Sequence, residues 1–100
     1  MIVRVLIRRH IPKPTDRDAA LLSQLEGFMV QLRNLAIQQP GYISGETLRN
    51  IHDTREYLVI STWKSEEFWN KWVENDERRS LQMKIEALLG APTEYKVFSY

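Results

Sequence analysis

The sequence predicts an α+β domain, a ferredoxin-like βαββαβ chain with an antiparallel sheet and its helices on one face. Four short runs read as strands, and two stretches between them carry apolar residues at helical spacing. Pro and Gly punctuate the changeovers. The chain has 100 residues, which is one domain over 1–100 with enough length to bury a core.

The first strand is "IVRVLIRRHI", residues 2–11. Val3, Val5 and Ile7 alternate with Arg4 and Arg8, and β-branched residues at period two favour extended backbone. "PKPT" stops it, because proline has no N–H to give a ladder. Thr15 or Asp16 can then cap a helix running to about Gln39. Leu21, Leu22, Leu25, Phe28, Met29, Leu32, Leu35 and Ala36 give that helix one apolar stripe, weakened a little by Gly27. Pro40 and Gly41 end it.

"YISGETLRN" and "EYLVISTWK" follow as two strands joined by the polar turn "IHDTR". Ser65 can cap the helix of "SEEFWNKWVEN", where Glu66 and Glu67 sit in the first turn and favour the dipole. A further helical run, "DERRSLQMKIEALLG", aligns Leu81, Ile85, Leu88 and Leu89 and stops at Gly90. "APTEYKVFSY" is the last strand. It carries Tyr95 and Val97 on one face and Phe98 and Tyr100 on the other, while Ile2 and Leu6 oppose the main apolar row of the first strand. A sheet apolar on both faces needs a second cover, and a second copy of the chain supplies one. A homodimer is expected.

Composition narrows the class. Fourteen Lys and Arg against thirteen Asp and Glu give +1, with the basic residues scattered among acids, so no nucleic-acid face is indicated. The absence of cysteine excludes a disulfide framework, a thiolate metal site and a cysteine nucleophile. "MIVRVLIRRH" is too short and too charged for a signal peptide or a membrane span, which points to a cytoplasmic protein. Two histidines and dispersed acids lack metal-ligand spacing, and "PGYISG" is no phosphate loop.

All three tryptophans fall within residues 63–72. They either build one corner of the core or line a cavity for something flat. Here "TWKSEEFWNKW" resembles the antibiotic biosynthesis monooxygenase family: a strand ends in Trp-Lys-Ser, and Phe68 and Trp72 follow Trp63 by five and nine residues. "QPGYISGETL" is similar to the family's entry into its second strand. The resemblance spans nearly the whole chain and implies a dimeric α+β barrel with a ligand cleft between sheet and helices. It also implies a spread of chemistries, from oxygenation of phenols or quinols without metal or flavin to opening of the haem ring. The haem-opening branch uses an Asn in the first strand, a Trp in the helix after the third strand, and an iron-ligating His ten residues beyond it. Here those positions hold Ile7, Trp72 and Gln82, and an amide does not replace an imidazole on iron, so haem degradation is not expected.

The resemblance therefore points to oxygenation of a small aromatic or quinol-like molecule without a cofactor, and the alternative is a non-catalytic binder or a structural dimer. Trp72 is expected as the cavity wall, with Phe68 and Trp69 beside it at helical spacing. His10, at the end of a strand, is the candidate base, because unperturbed histidine titrates near neutrality. Arg8 and Arg9 are able to stabilise an anionic substrate oxygen. Tyr42, Ser44, Asn50 and Gln82 are neutral groups able to orient a ligand, and His52 reads as a solvated turn residue.

Overall fold

The computed structural model describes residues 1–11 and 18–100. The stop expected at "PKPT" and the cap expected at Thr15 or Asp16 lie outside the described residues. The elements are β1 (Val3–His10), α1 (Asp18–Ile37), β2 (Tyr42–Arg49), β3 (Glu56–Trp63), α2 (Glu66–Val73), α3 (Asp76–Leu89) and β4 (Glu94–Ser99). The strands form one antiparallel sheet in the order β2-β3-β1-β4. This is the ferredoxin-like order: β1 lies between β3, which follows β2 through a turn, and β4, which is reached through α2 and α3.

β1 sets the two faces. Val3, Val5, Ile7 and Arg9 are buried toward the helices, while Arg4 and Arg8 point the other way and are exposed. The core joins that row to Leu25, Leu32 and Ala36 of α1 and to Leu81, Ile85 and Leu89 of α3. α1 ends two residues before the expected Gln39. Its last turn tightens, with the Gln38 and Gln39 N–H groups donating to the Leu35 and Ala36 carbonyls.

The second helical region is two helices because Asn75 leaves the helical conformation (φ −63°, ψ 127°). Its side chain accepts from Arg78 N at 2.9 Å and caps α3, as Ser65 caps α2 by accepting from Phe68 N. Gly90, at φ +66°, closes α3 in the left-handed conformation expected of a C-terminal glycine. The β2–β3 turn is organised by Asn50, whose Oδ1 accepts from the His52 and Asp53 amides at 2.8 and 3.1 Å.

The face of the sheet turned away from the helices has no cover of its own. Leu6, Leu58 and Ile60 are only half-buried there, and Leu48 and Phe98 are 46% and 50% exposed. Among the described residues, no helix is long and apolar enough to cross a membrane.

Candidate functional site

A cleft opens between the inner face of the sheet and the helices. Its floor is Ile7, Val59 and Ser61, and the aliphatic wall opposite is Met29, Leu32 and Ala36 of α1. Arg33, Glu46 and Thr47 are exposed and lie at its mouth, between α1 and the edge strand β2. The interior leaves about 70 Å³ for the centres of water molecules. At roughly 10–15 Å³ of such space per water, that is about five waters, or on the order of 150 Å³ of liquid, a volume that takes one aromatic ring.

The three tryptophans are core and wall at once. Trp63, Trp69 and Trp72 are buried at 0%, 5% and 6% exposure, and all three line the cleft. Trp63 is the hub. Trp72 stacks on it at 6.1 Å and 26°, Trp69 meets it edge-on at 6.0 Å, and Tyr42 meets it edge-on at 5.4 Å. Its indole N–H donates to Ser61 Oγ at 3.1 Å, so its polar edge is satisfied within the core. Helical phase explains the rest: Trp69 and Trp72 are three apart, which puts both on the buried side of α2.

Two arginines close the end of the cleft. Arg9 shares the inward parity of Val3, Val5 and Ile7, and its side chain follows theirs under the helices. Its Nη2 donates to Gln82 Oε1 at 3.1 Å. Gln82 in turn donates to Thr93 Oγ1 at 2.5 Å and to Glu86 Oε1 at 3.2 Å. The Arg9 Nε is buried without a hydrogen-bond partner. Burial is the main influence on this guanidinium and pushes its pKa down, with Arg78 adding to the effect and Tyr95 and Glu86 opposing it.

Arg78 donates from Nη1 to the Val73 carbonyl at 3.0 Å, satisfying the end of α2, and from Nη2 to the Tyr95 hydroxyl at 2.7 Å. Its guanidinium lies over the Trp69 and Tyr95 rings at 5.9 and 5.5 Å. Burial raises the Tyr95 pKa, with Arg78 and Arg9 pulling against it, so the phenol stays protonated near neutrality. Its oxygen accepts from Arg78, and its proton is free to donate to a further acceptor.

The residues singled out in the sequence divide. Trp69, Trp72 and Tyr42 line the cleft, and Gln82 stands one bond behind it, holding Arg9. Phe68 is elsewhere: its ring packs against Gly41. His10 and Arg8 also fall outside. Strand alternation and position turn both away from the helices. His10 hydrogen-bonds Asp53 Oδ2 at 3.0 Å, and Arg8 pairs with Glu56 and, at 3.1 Å, with Glu94. These side chains cannot act in this cleft as base or anion partner. Ser44 and His52 are exposed, and Asn50 is spent on its turn. Arg78, Tyr95 and Ser61 were not singled out. Phase was the available signal for Arg78, which lies three and seven residues before Leu81 and Ile85, and strand pairing decides the other two, Tyr95 opposite Ile7 and Ser61 opposite Val5.

Comparison with known proteins places the chain in a family. The family model described as antibiotic biosynthesis monooxygenase matches residues 5–84. Among solved structures, the chain is similar to SnoaB, a cofactor-independent oxygenase from Streptomyces nogalater (TM-score 0.82, 15% identity, 99% of this chain and 92% of that one). It is also similar to a conserved protein from Methanosarcina mazei Go1 (TM-score 0.83, 12% identity, 97% and 90% covered). A third is Rv0793 from Mycobacterium tuberculosis (TM-score 0.73, 18% identity, 100% and 95% covered). No curated protein matches the sequence significantly. At these identities the solved structures establish the shared fold, while the family model covers most of the sequence: the chain belongs to the antibiotic biosynthesis monooxygenase family.

Proposed function

We propose that the protein is a monooxygenase that works without metal or flavin on a small quinol-like arene bound in this cleft. The observation that carries the reading is the cleft itself, walled by tryptophans and ending in two guanidiniums and a phenol. Membership of the family and the likeness to SnoaB, a cofactor-independent oxygenase, support it.

Oxygenation without a cofactor requires the substrate to reduce oxygen itself. A quinol does so once it has lost a phenolic proton: the anion passes one electron to O₂, and the resulting radical pair combines through a C–O bond. The O–O bond then breaks. One oxygen stays on the ring and the other leaves as water, taking the two hydrogens that the quinol loses as it becomes a hydroxyquinone. Among the described residues the cleft interior holds no histidine or carboxylate to act as base. Arg9 and Arg78 take over part of that task by electrostatics, since cations in a water-poor site favour the ionised phenol and the superoxide that follows. Trp72, backed by Trp63, orients the ring by stacking.

Oxygen uptake with methylhydroquinone should exceed the buffer rate, and ¹⁸O₂ should leave one labelled atom in the product. Uptake at the buffer rate with a panel of hydroquinones, while those ligands still quench tryptophan fluorescence, would replace the enzyme with a small-molecule binder.

We also propose that a second copy covers the open sheet face. Half-buried Leu6, Leu58 and Ile60 with exposed Leu48 and Phe98 form its apolar part. Sedimentation at micromolar concentration should give twice the 11.8 kDa chain mass. A species of chain mass alone would defeat this assembly.

A further inference from the structure

Charge is distributed across this protein in an unusual way. Arg8, on the exposed sheet face, has two carboxylates, Glu56 and Glu94, where solvent makes ion pairs weak. Arg9 and Arg78, at 5% and 7% exposure, form no ion pair with any described carboxylate. Burying a charge without a partner is costly, and two like charges lining one small cavity add repulsion to that cost. The acid that acts on Arg9 is Glu86, and its Oε1 already accepts from Gln82 Nε2 and from the Thr93 amide, both at 3.2 Å. Neutral groups satisfy part of each guanidinium: Gln82 for Arg9, and the Val73 carbonyl and Tyr95 for Arg78. The Arg9 Nε remains unsatisfied.

From these observations, which rest on the ligand cleft proposed above, we infer the substrate class: a single-ring arene carrying a carboxylate, bound as the anion with the carboxylate between Arg9, Arg78 and Tyr95. A carboxylate accepts several hydrogen bonds in a plane, which suits guanidinium donors and a phenolic proton that has no other acceptor among the described residues. A neutral quinol brings no charge to the two guanidiniums until it has ionised. The volume permits one ring, whose face meets the tryptophan wall while the carboxylate meets the arginines. At the mouth, exposed Arg33 and Glu46 offset one another, so the excess positive charge of the cleft lies inside, on Arg9 and Arg78.

Two isosteric probes test this under anaerobic conditions at neutral pH: 2,5-dihydroxybenzoate, an anion, and 2,5-dihydroxybenzamide, its neutral counterpart. Tryptophan quenching and calorimetry should give the benzoate at least about tenfold tighter binding, the ratio expected of one charge-assisted hydrogen bond over a neutral one. Arg9→Gln and Arg78→Gln should each bring that ratio close to one while amide binding persists, which shows that the cavity is intact. Equal binding of the two probes, binding of neither, or a ratio unchanged in both variants would overturn the assignment. The two readings also fail separately. Tighter benzoate binding with no oxygen uptake keeps the anion site and removes the oxygenase. Equal binding and equal turnover of both probes keeps the oxygenase and removes the carboxylate.

Discussion

Trp63→Ala is expected to remove about 3–5 kcal/mol of stability, comparable to the whole margin of a small domain. The residue is fully buried at the end of β3 and touches every other aromatic group around it: Tyr42 and Trp69 by their edges, Trp72 by its face. Truncation leaves a cavity that three large rings cannot fill together, because Tyr42 is anchored on β2 while Trp69 and Trp72 are held by α2. It also strips Ser61 Oγ of the indole donor. Urea denaturation followed by far-ultraviolet circular dichroism should show the transition moved close to zero denaturant. Trp72→Phe is the comparison. It keeps an aromatic face against Trp63 and should cost clearly less, while weakening ligand quenching. A Trp63→Ala protein as stable as the parent would mean that the aromatic cluster is not the keystone of this end of the core.

Gly41→Ala is the second change with a large expected effect, for two separable reasons. Gly41 has φ +83°, a left-handed conformation that costs an L side chain about 1–2 kcal/mol. A Cβ there would also overlap the Phe68 ring, which lies directly on this glycine. The sum should exceed 2 kcal/mol, more than the backbone strain of the left-handed region alone usually costs. Placing Phe68→Ala beside Gly41→Ala in a double-mutant cycle should recover the share of the steric cost that belongs to the ring, and leave the backbone part and the overlap with the Cβ of residue 68. Gly27→Ala supplies the control of opposite sign. It lies within α1 with nothing within 4 Å of a built Cβ, so alanine should stabilise by about 1 kcal/mol and raise Tm by about 4–8 °C. If Gly41→Ala melts with the parent, the close seat of Phe68 on that turn is wrong.

The elements were legible because each rests on local physics. Period two in β1, the three-and-four spacing of α1, the Ser65 cap and the Gly90 stop follow from how side chains leave a strand or a helix and from which backbone groups lack partners. The two-faced sheet was legible for the same reason, and so was the clustering of three tryptophans. Asn75 is a boundary case: a good capping residue between two helical runs, whose capping role shows only in its ψ of 127° and its bond to Arg78 N.

The site was legible only in part. The resemblance singled out Trp72, and geometry sets Trp72 in the cleft wall. The choice between Arg8 and Arg9 turned on one residue of strand parity, and so did the exclusion of His10, since adjacent strand residues face opposite sides of the sheet. Titratable character made His10 attractive, but chemistry at a site depends on convergence, which composition does not encode. The meeting of Arg9 from β1, Arg78 from α3 and Tyr95 from β4 joins residues far apart in the chain. The sequence by itself determined the strands, the helices and their apolar faces, because those depend on neighbours a few residues away. Only the tertiary structure decided that two unpaired cations share a tryptophan-walled cleft, because that depends on sheet order and on how the helices close over it.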